Sequence, residues 1–279
     1  MRSRFVSMAL AAVLAAGLLG CGEDAVGPSG SSQPPALPSA ETMQFDFGFF
    51  DSGQAPGVQD LADADALRLN WLNAAVRVAY INVTVATVFT PPRLAFALAT
   101  HTVPVVEDDG TFLWTYTWRD QDEHEVIIHL RGRIDGVRVS WSLRVSDNQS
   151  EPPLDEFLWF SGESGLVENT GHWIFRDIDE GVGFEVARID WDLRDRENSL
   201  LSFEIIDPDS DEYGDNLSYR HVEDVISVEF YDASEDLPAD ITWNERTGEG
   251  SLQVPDYNDG ERACWDGNLF DVACGDGAS

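Results

Sequence analysis

His124 and His129 bracket a glutamate in the run His124-Glu125-Val126-Ile127-Ile128-His129, which comes near the pattern that presents two imidazoles to zinc. That chemistry needs a spacing of four on a helix, and here the spacing is five. In a strand, positions five apart point to opposite faces, so the pair reads as two strand-surface histidines. Asp207-Pro208-Asp209-Ser210-Asp211, with Asp215 beyond, places carboxylates at alternate positions, as an oxygen cage for calcium does. The loop then departs from the EF-hand pattern, with Glu212 where the turn wants Gly and Ser218 where a bidentate Glu belongs. Asp207, Asp209, Asp211 and Asp215 are therefore a candidate weak Ca2+ site, or simply an acidic loop between strands. Ser161-Gly162-Glu163-Ser164-Gly165 is not the nucleophile elbow, and neither a phosphate loop nor a dinucleotide fingerprint occurs. With 51 Asp and Glu, carboxylate pairs of the glycosidase kind arise by chance and identify nothing. No catalytic residue and no cofactor beyond weak calcium is expected.

Two further sets carry chemistry. Trp114, Trp118 and Trp141 either line a groove for an apolar or sugar ligand or, as strand aromatics usually do, fill a core. Cys264 and Cys274 are the only cysteines after Cys21, and in an oxidising compartment an even pair at this spacing closes a C-terminal hairpin as a disulfide.

The elements that must position these residues follow from periodicity. Gln59 to Phe89 holds no Pro, and Leu67, Trp71, Ala75, Val78, Ile81, Val85 and Phe89 recur at three- and four-residue spacing, predicting an amphipathic helix over 59–89. Asp60, Asp63 and Asp65 suit its first turns, Pro91-Pro92 stops it, and a short second helix spans 93–99. The β-branched half from Tyr80 to Thr90 leaves a strand open as the alternative. After Thr102 the period becomes two. Phe112, Trp114, Tyr116 and Trp118 share a face, as do Val137, Val139, Trp141, Leu143 and Val145, each set alternating with polar residues. Asp135-Gly136 is the strongest hairpin signal. Further strands read near 125–134, 156–168, 172–177, 183–193, 200–206, 217–231, 239–245 and 249–254, an antiparallel meander. The expected fold is mainly β: a curled sheet or half-barrel, or alternatively a sandwich, with the helix packed against it and burying the Trp-rich face. In element order alone this is similar to the half-barrels of periplasmic lipoprotein carriers.

The first residues carry a different message. Arg2 and Arg4 precede an uncharged run from Phe5 to Leu19, which is short for a membrane span and suited to a signal sequence. It ends in Leu18-Leu19-Gly20-Cys21, which resembles the lipobox of bacterial lipoproteins. The resemblance implies cleavage after residue 20 and lipidation of Cys21, and Gly22 in place of an inner-membrane-retaining Asp implies the outer membrane. Residues 21–43, rich in Gly, Ser and Pro, read as a tether, and 44–279 as an extracytoplasmic β-rich domain.

Cleavage removes two of seventeen arginines and no acid, so the mature chain carries 15 Arg, no Lys and a formal charge of −36. Such a surface repels nucleic acid and anionic headgroups, leaving the lipid to hold the protein at a membrane. The leading expectation is a non-catalytic envelope lipoprotein that binds or scaffolds an envelope protein or, in a sharper form, carries an apolar small molecule between helix and sheet among Trp71, Val78, Trp114 and Trp141. The rivals are an extracytoplasmic hydrolase, perhaps calcium-assisted, recognisable by an open cleft of converging Asp, Glu or His, and a purely structural or docking module.

Overall fold

The computed structural model describes residues 33–51, 68–99, 101–119, 124–151, 153–179, 182–195 and 198–275. Cys21, the signal segment and most of the tether lie outside them, as do residues 59–67 of the expected helix.

Among the described residues, fourteen antiparallel strands form one open sheet whose order is that of the sequence, β1 to β14. They are β1 (Val105–Val106), β2 (Phe112–Arg119), β3 (Glu125–Asp135), β4 (Arg138–Asp147), β5 (Leu154–Gly165), β6 (Thr170–Asp179) and β7 (Val182–Asp195). Then come β8 (Asn198–Ile205), β9 (Asn216–Val222), β10 (Val225–Asp232), β11 (Leu237–Asn244), β12 (Gly250–Gln253), β13 (Ala263–Trp265) and β14 (Asp271–Val272). A short turn of helix α1 (Gly48–Asp51) and a long helix α2 (Leu69–Ala99) precede them. One continuous sheet replaces the two of a sandwich.

Helix α2 touches β2 and β3 near one end of the strand order and β12, β13 and β14 at the other, so the sheet curls around it as a trough. Phe89 packs on Phe175 of β6 and Phe203 of β8, and Phe96 on Phe160 of β5 and Trp173 of β6. Trp71 stacks on Phe50, which meets Trp243 of β11 edge-on. The helix begins on a cap supplied from the far end of the chain. The Leu69 and Asn70 amides donate to the Asp271 carboxylate at 3.2 and 2.9 Å, and Asn70 Nδ2 donates to the Cys264 carbonyl at 2.7 Å.

Several boundaries differ from expectation for physical reasons. The helix does not stop at Phe89 but runs unbroken through Pro91-Pro92 to Ala99, absorbing the short helix of 93–99. Two prolines in a helix interior cost about 3 kcal/mol each in isolation; Phe89 and Phe96, buried on either side, outweigh that local penalty. The buried stripe of Trp71, Val78, Ile81, Val85 and Phe89 is as read, but the helix is not amphipathic, because its opposite face is apolar as well. Strand 217–231 is two strands, turned at Glu223, which adopts φ 55°. Val137 does not point inward: with Gly136 at φ 61° it forms a two-residue hairpin loop and is 78% exposed. Packing also reaches back before Gln44, since Thr42 and Met43 are buried and Trp173 Nε1 donates to Thr42 Oγ1 at 3.1 Å.

One packing device recurs around the trough. Gly132 faces Trp141 across the β3–β4 pair, Gly162 faces Trp173, Gly171 faces Trp191 and Gly250 faces Trp265. Each indole lies where the glycine's side chain would stand; an added Cβ at Gly171 would come 2.4 Å from Trp191 Cζ2. Tryptophan thus covers a neighbouring strand's bare backbone, which keeps large rings inside a tightly curled sheet.

Candidate functional site

The convex face of β3, β4 and β5 gathers the most concentrated polar chemistry. Outward positions of β3 carry His129 and Arg131, and directly across from His129 on β4 stands Arg144. Strand β5 reaches this group through two register shifts, opposite Leu143/Arg144 and Val145/Asp147. Within the second of them Glu156 is held at φ 50°, a left-handed conformation uncommon for a residue other than glycine. The Ser146 hydroxyl accepts from the Glu156 amide at 2.9 Å and Arg144 donates to the Glu156 carbonyl at 2.7 Å, pinning the bulge.

The Glu156 carboxylate then bridges His129 Nδ1 at 2.5 Å and Arg131 at 3.3 Å, while Arg131 also approaches Glu107 at 3.6 Å. Partial burial pushes the Glu156 carboxyl upward, but the hydrogen bonds from His129 and Arg131 outweigh it and hold the group below its usual value. A carboxylate that fixes one imidazole nitrogen is the arrangement by which a histidine is oriented for proton transfer, while the two guanidiniums beside it are engaged by Glu156 and Glu107. His124 lies on the other side of β3 and pairs instead with buried Asp147 at 2.9 Å, so the two histidines face apart as the spacing requires. Sequence reading missed Glu156. Its signal was the unbroken apolar run Phe157-Leu158-Trp159-Phe160, which cannot alternate and so requires a bulge.

The aromatic candidates come together, but as core. Trp71, Val78, Trp114 and Trp141 belong to one hydrophobic cluster with exposures of 2, 1, 3 and 2%. Trp114 and Trp141 lie 5.9 Å apart, and Trp141 Nε1 donates to Ser164 Oγ at 2.8 Å. A groove of about 550 Å³ opens instead over β9–β12, where Ser218, Glu229, Asp240 and Gln253 form one cross-strand row. Arg262 donates to Asp240 and Gln253 at its end.

The acidic loop is not gathered around one point. Asp207 accepts from the Asp209 amide at 3.0 Å and shapes the turn, while Asp209 and Asp211 face solvent. Asp215 turns inward to 1% exposure, accepts from the Ala233 amide at 2.8 Å, and leaves Oδ2 buried without a hydrogen-bond partner among the described residues. Burial, with Asp232 and Glu212 nearby, raises its carboxyl above the ordinary aspartate value. Among the described residues no three His, Cys, Asp or Glu side chains stand close enough to hold a metal ion.

Cys264 and Cys274 form a disulfide with Cα atoms 5.3 Å apart. It ties β13 to the C-terminal strap whose Asp271 caps α2. No protein-family model, no curated protein and no solved structure matches the chain.

Proposed function

We propose that the chain is an exported lipoprotein, lipidated on Cys21, whose β-domain is a non-catalytic binding or scaffolding module at the cell envelope, on the outer membrane. The observation that carries this reading is the ordered run of Arg2 and Arg4, an uncharged fifteen-residue segment and Leu18-Leu19-Gly20-Cys21, followed by a Gly/Ser/Pro tether. The disulfide, which persists in oxidising compartments, supports it. The formal charge of −36 turns the search toward envelope proteins or uncharged ligands and away from nucleic acid.

Within this reading, packing favours docking over carriage. The residues that would line an apolar cavity are interdigitated in the core, so a carried molecule would have to displace α2 from the trough. Replacing Cys21 by Ala tests the anchor: processing before residue 21 stops and radiolabelled fatty acid is no longer incorporated, and a variant still processed and acylated overturns the reading. Native mass spectrometry of residues 33–279 tests the binding mode. A clean apo mass is expected, and a co-purifying lipid would put the carrier version first.

A further inference from the structure

Helix α2 is apolar on both sides. Its inner side fills the trough; its outer side exposes Leu69 (43%), Leu72 (38%), Val76 (62%), Tyr80 (50%), Val83 (68%) and Leu94 (44%). From Leu69 to Val83 these recur at three- and four-residue spacing and form one stripe, with Leu94 three turns further on, an apolar surface on the order of several hundred Å², the size at which exposed patches mark interaction sites. The helix contains no Asp or Glu in 31 residues, and its only charges are Arg77 and Arg93. At the frequency of 51 acids in 279 residues, a stretch of that length would carry about six. In a protein this negative, the helix contributes apolar surface and no acid of its own; the carboxylates near it, Asp256 on Arg77 and Asp271 on the first amides, come from its flanks.

What meets it is indicated by where the chain goes. The segment leading back toward Cys21 is packed against the same body: Pro35 is buried and the turn at Ala40–Met43 touches α2. Eleven residues lie between Cys21 and Gln33, a reach of about 40 Å when fully extended. A lipid on Cys21 thus holds the domain within its own diameter of the bilayer, and the acidic remainder of the surface is repelled by anionic headgroups. No helix among the described residues is long and apolar enough to cross a membrane, so the contact is with the interface and not a span.

We infer that the outer face of α2 is a membrane-contact surface, which lies in the headgroup region of the anchoring bilayer and fixes the orientation of the β-trough above it. This rests on lipidation at Cys21. It deepens the proposed function by assigning the convex sheet face, with its Glu156–His129–Arg131 cluster, to the side turned away from the membrane.

The test uses the full lipidated chain in vesicles of phosphatidylethanolamine and phosphatidylglycerol with brominated acyl chains. An environment-sensitive fluorophore is attached at Val83→Cys or, as reference, at Val167→Cys, which is 93% exposed at the β5–β6 turn. The expected result is a blue-shifted emission at position 83, quenched at least twofold by bromine, with position 167 unaffected. Emission at 83 that matches 167 while the protein remains anchored overturns the inference and leaves the anchor intact. A blue shift that grows with protein concentration and ignores bromine overturns it in favour of a second copy on the stripe. The lipoprotein reading is tested separately: a Cys21→Ala variant that is still processed and acylated would strike that reading and not this one.

Discussion

Replacing Gly162 by Ala probes the Trp-over-Gly device where it has least room. An ideal Cβ there would stand 2.0 Å from the His172 carbonyl oxygen and 2.6 Å from Trp173 Cε3. The indole can tilt, but the carbonyl belongs to the β5–β6 ladder and cannot move without breaking register. Alanine gains roughly 0.5–1 kcal/mol over glycine from reduced backbone freedom. Overpacking of a core costs about 1–3 kcal/mol, and an immovable backbone contact belongs at the upper end. The net loss is about 2 kcal/mol, or about 4–8 °C in Tm for a chain of this size. At Gly132 the three nearest atoms all belong to the Trp141 ring, the closest at 2.6 Å. Gly132→Ala should therefore cost about 1 kcal/mol and be relieved by Trp141→Phe in a double-mutant cycle. Urea unfolding followed by tryptophan fluorescence measures all of these. A Gly162→Ala protein as stable as the parent, or strictly additive effects of Gly132→Ala and Trp141→Phe, would refute the argument that the indoles occupy the glycines' side-chain space.

Three other perturbations have defined directions. Asp215 has a raised folded-state pKa, so its favourable contribution is complete below the ordinary aspartate value and lost as pH rises through the raised one. Asp215→Asn keeps the acceptor for the Ala233 amide and should stabilise by about 1 kcal/mol at pH 7, with the advantage shrinking toward pH 4 in melts across that range; a lower Tm at pH 7 contradicts it. Opening the ten-residue Cys264–Cys274 link with paired Ser substitutions should cost about 3 kcal/mol by loop entropy, and reductant should bring the parent's melting curve onto the variant's. Phe89→Ala, which removes the ring lying between Phe175 and Phe203, should cost about 3–5 kcal/mol in urea unfolding, and a loss under 1 kcal/mol would show that the prolines beyond it are not held by packing.

Most strands were legible because a half-buried antiparallel strand writes its two faces into alternate residues, as in Val139, Trp141, Leu143 and Val145. The Cys264–Cys274 link was legible from spacing and count. Helix α2 was legible only on its buried side. Its continuation through Pro91-Pro92 depends on Phe89 and Phe96 meeting strands from 64 to 114 residues away, which no local window contains. The cluster at Glu156 was hidden for a related reason: its partners are assembled by a bulge, and a bulge is the failure of the very alternation used to read strands. Asp215 was singled out as one of four ligands, yet its sequence does not distinguish it from Asp209 or Asp211. Only the fold turns one inward and leaves the others wet.

The strand order has a kinetic consequence. Every sheet pairing joins neighbours along the chain, so the sheet can zip hairpin by hairpin as the polypeptide emerges, closing only short loops at each step. Helix α2 has the opposite schedule. It is made before any strand, yet its first amides are capped by Asp271, separated from Leu69 by 202 residues. Until the last hairpin arrives, its first turn stays uncapped and the far wall of the trough is incomplete. The slow step in folding should therefore be closure of the trough over the helix, and the chain's exposure to aggregation should last until its final residues are made.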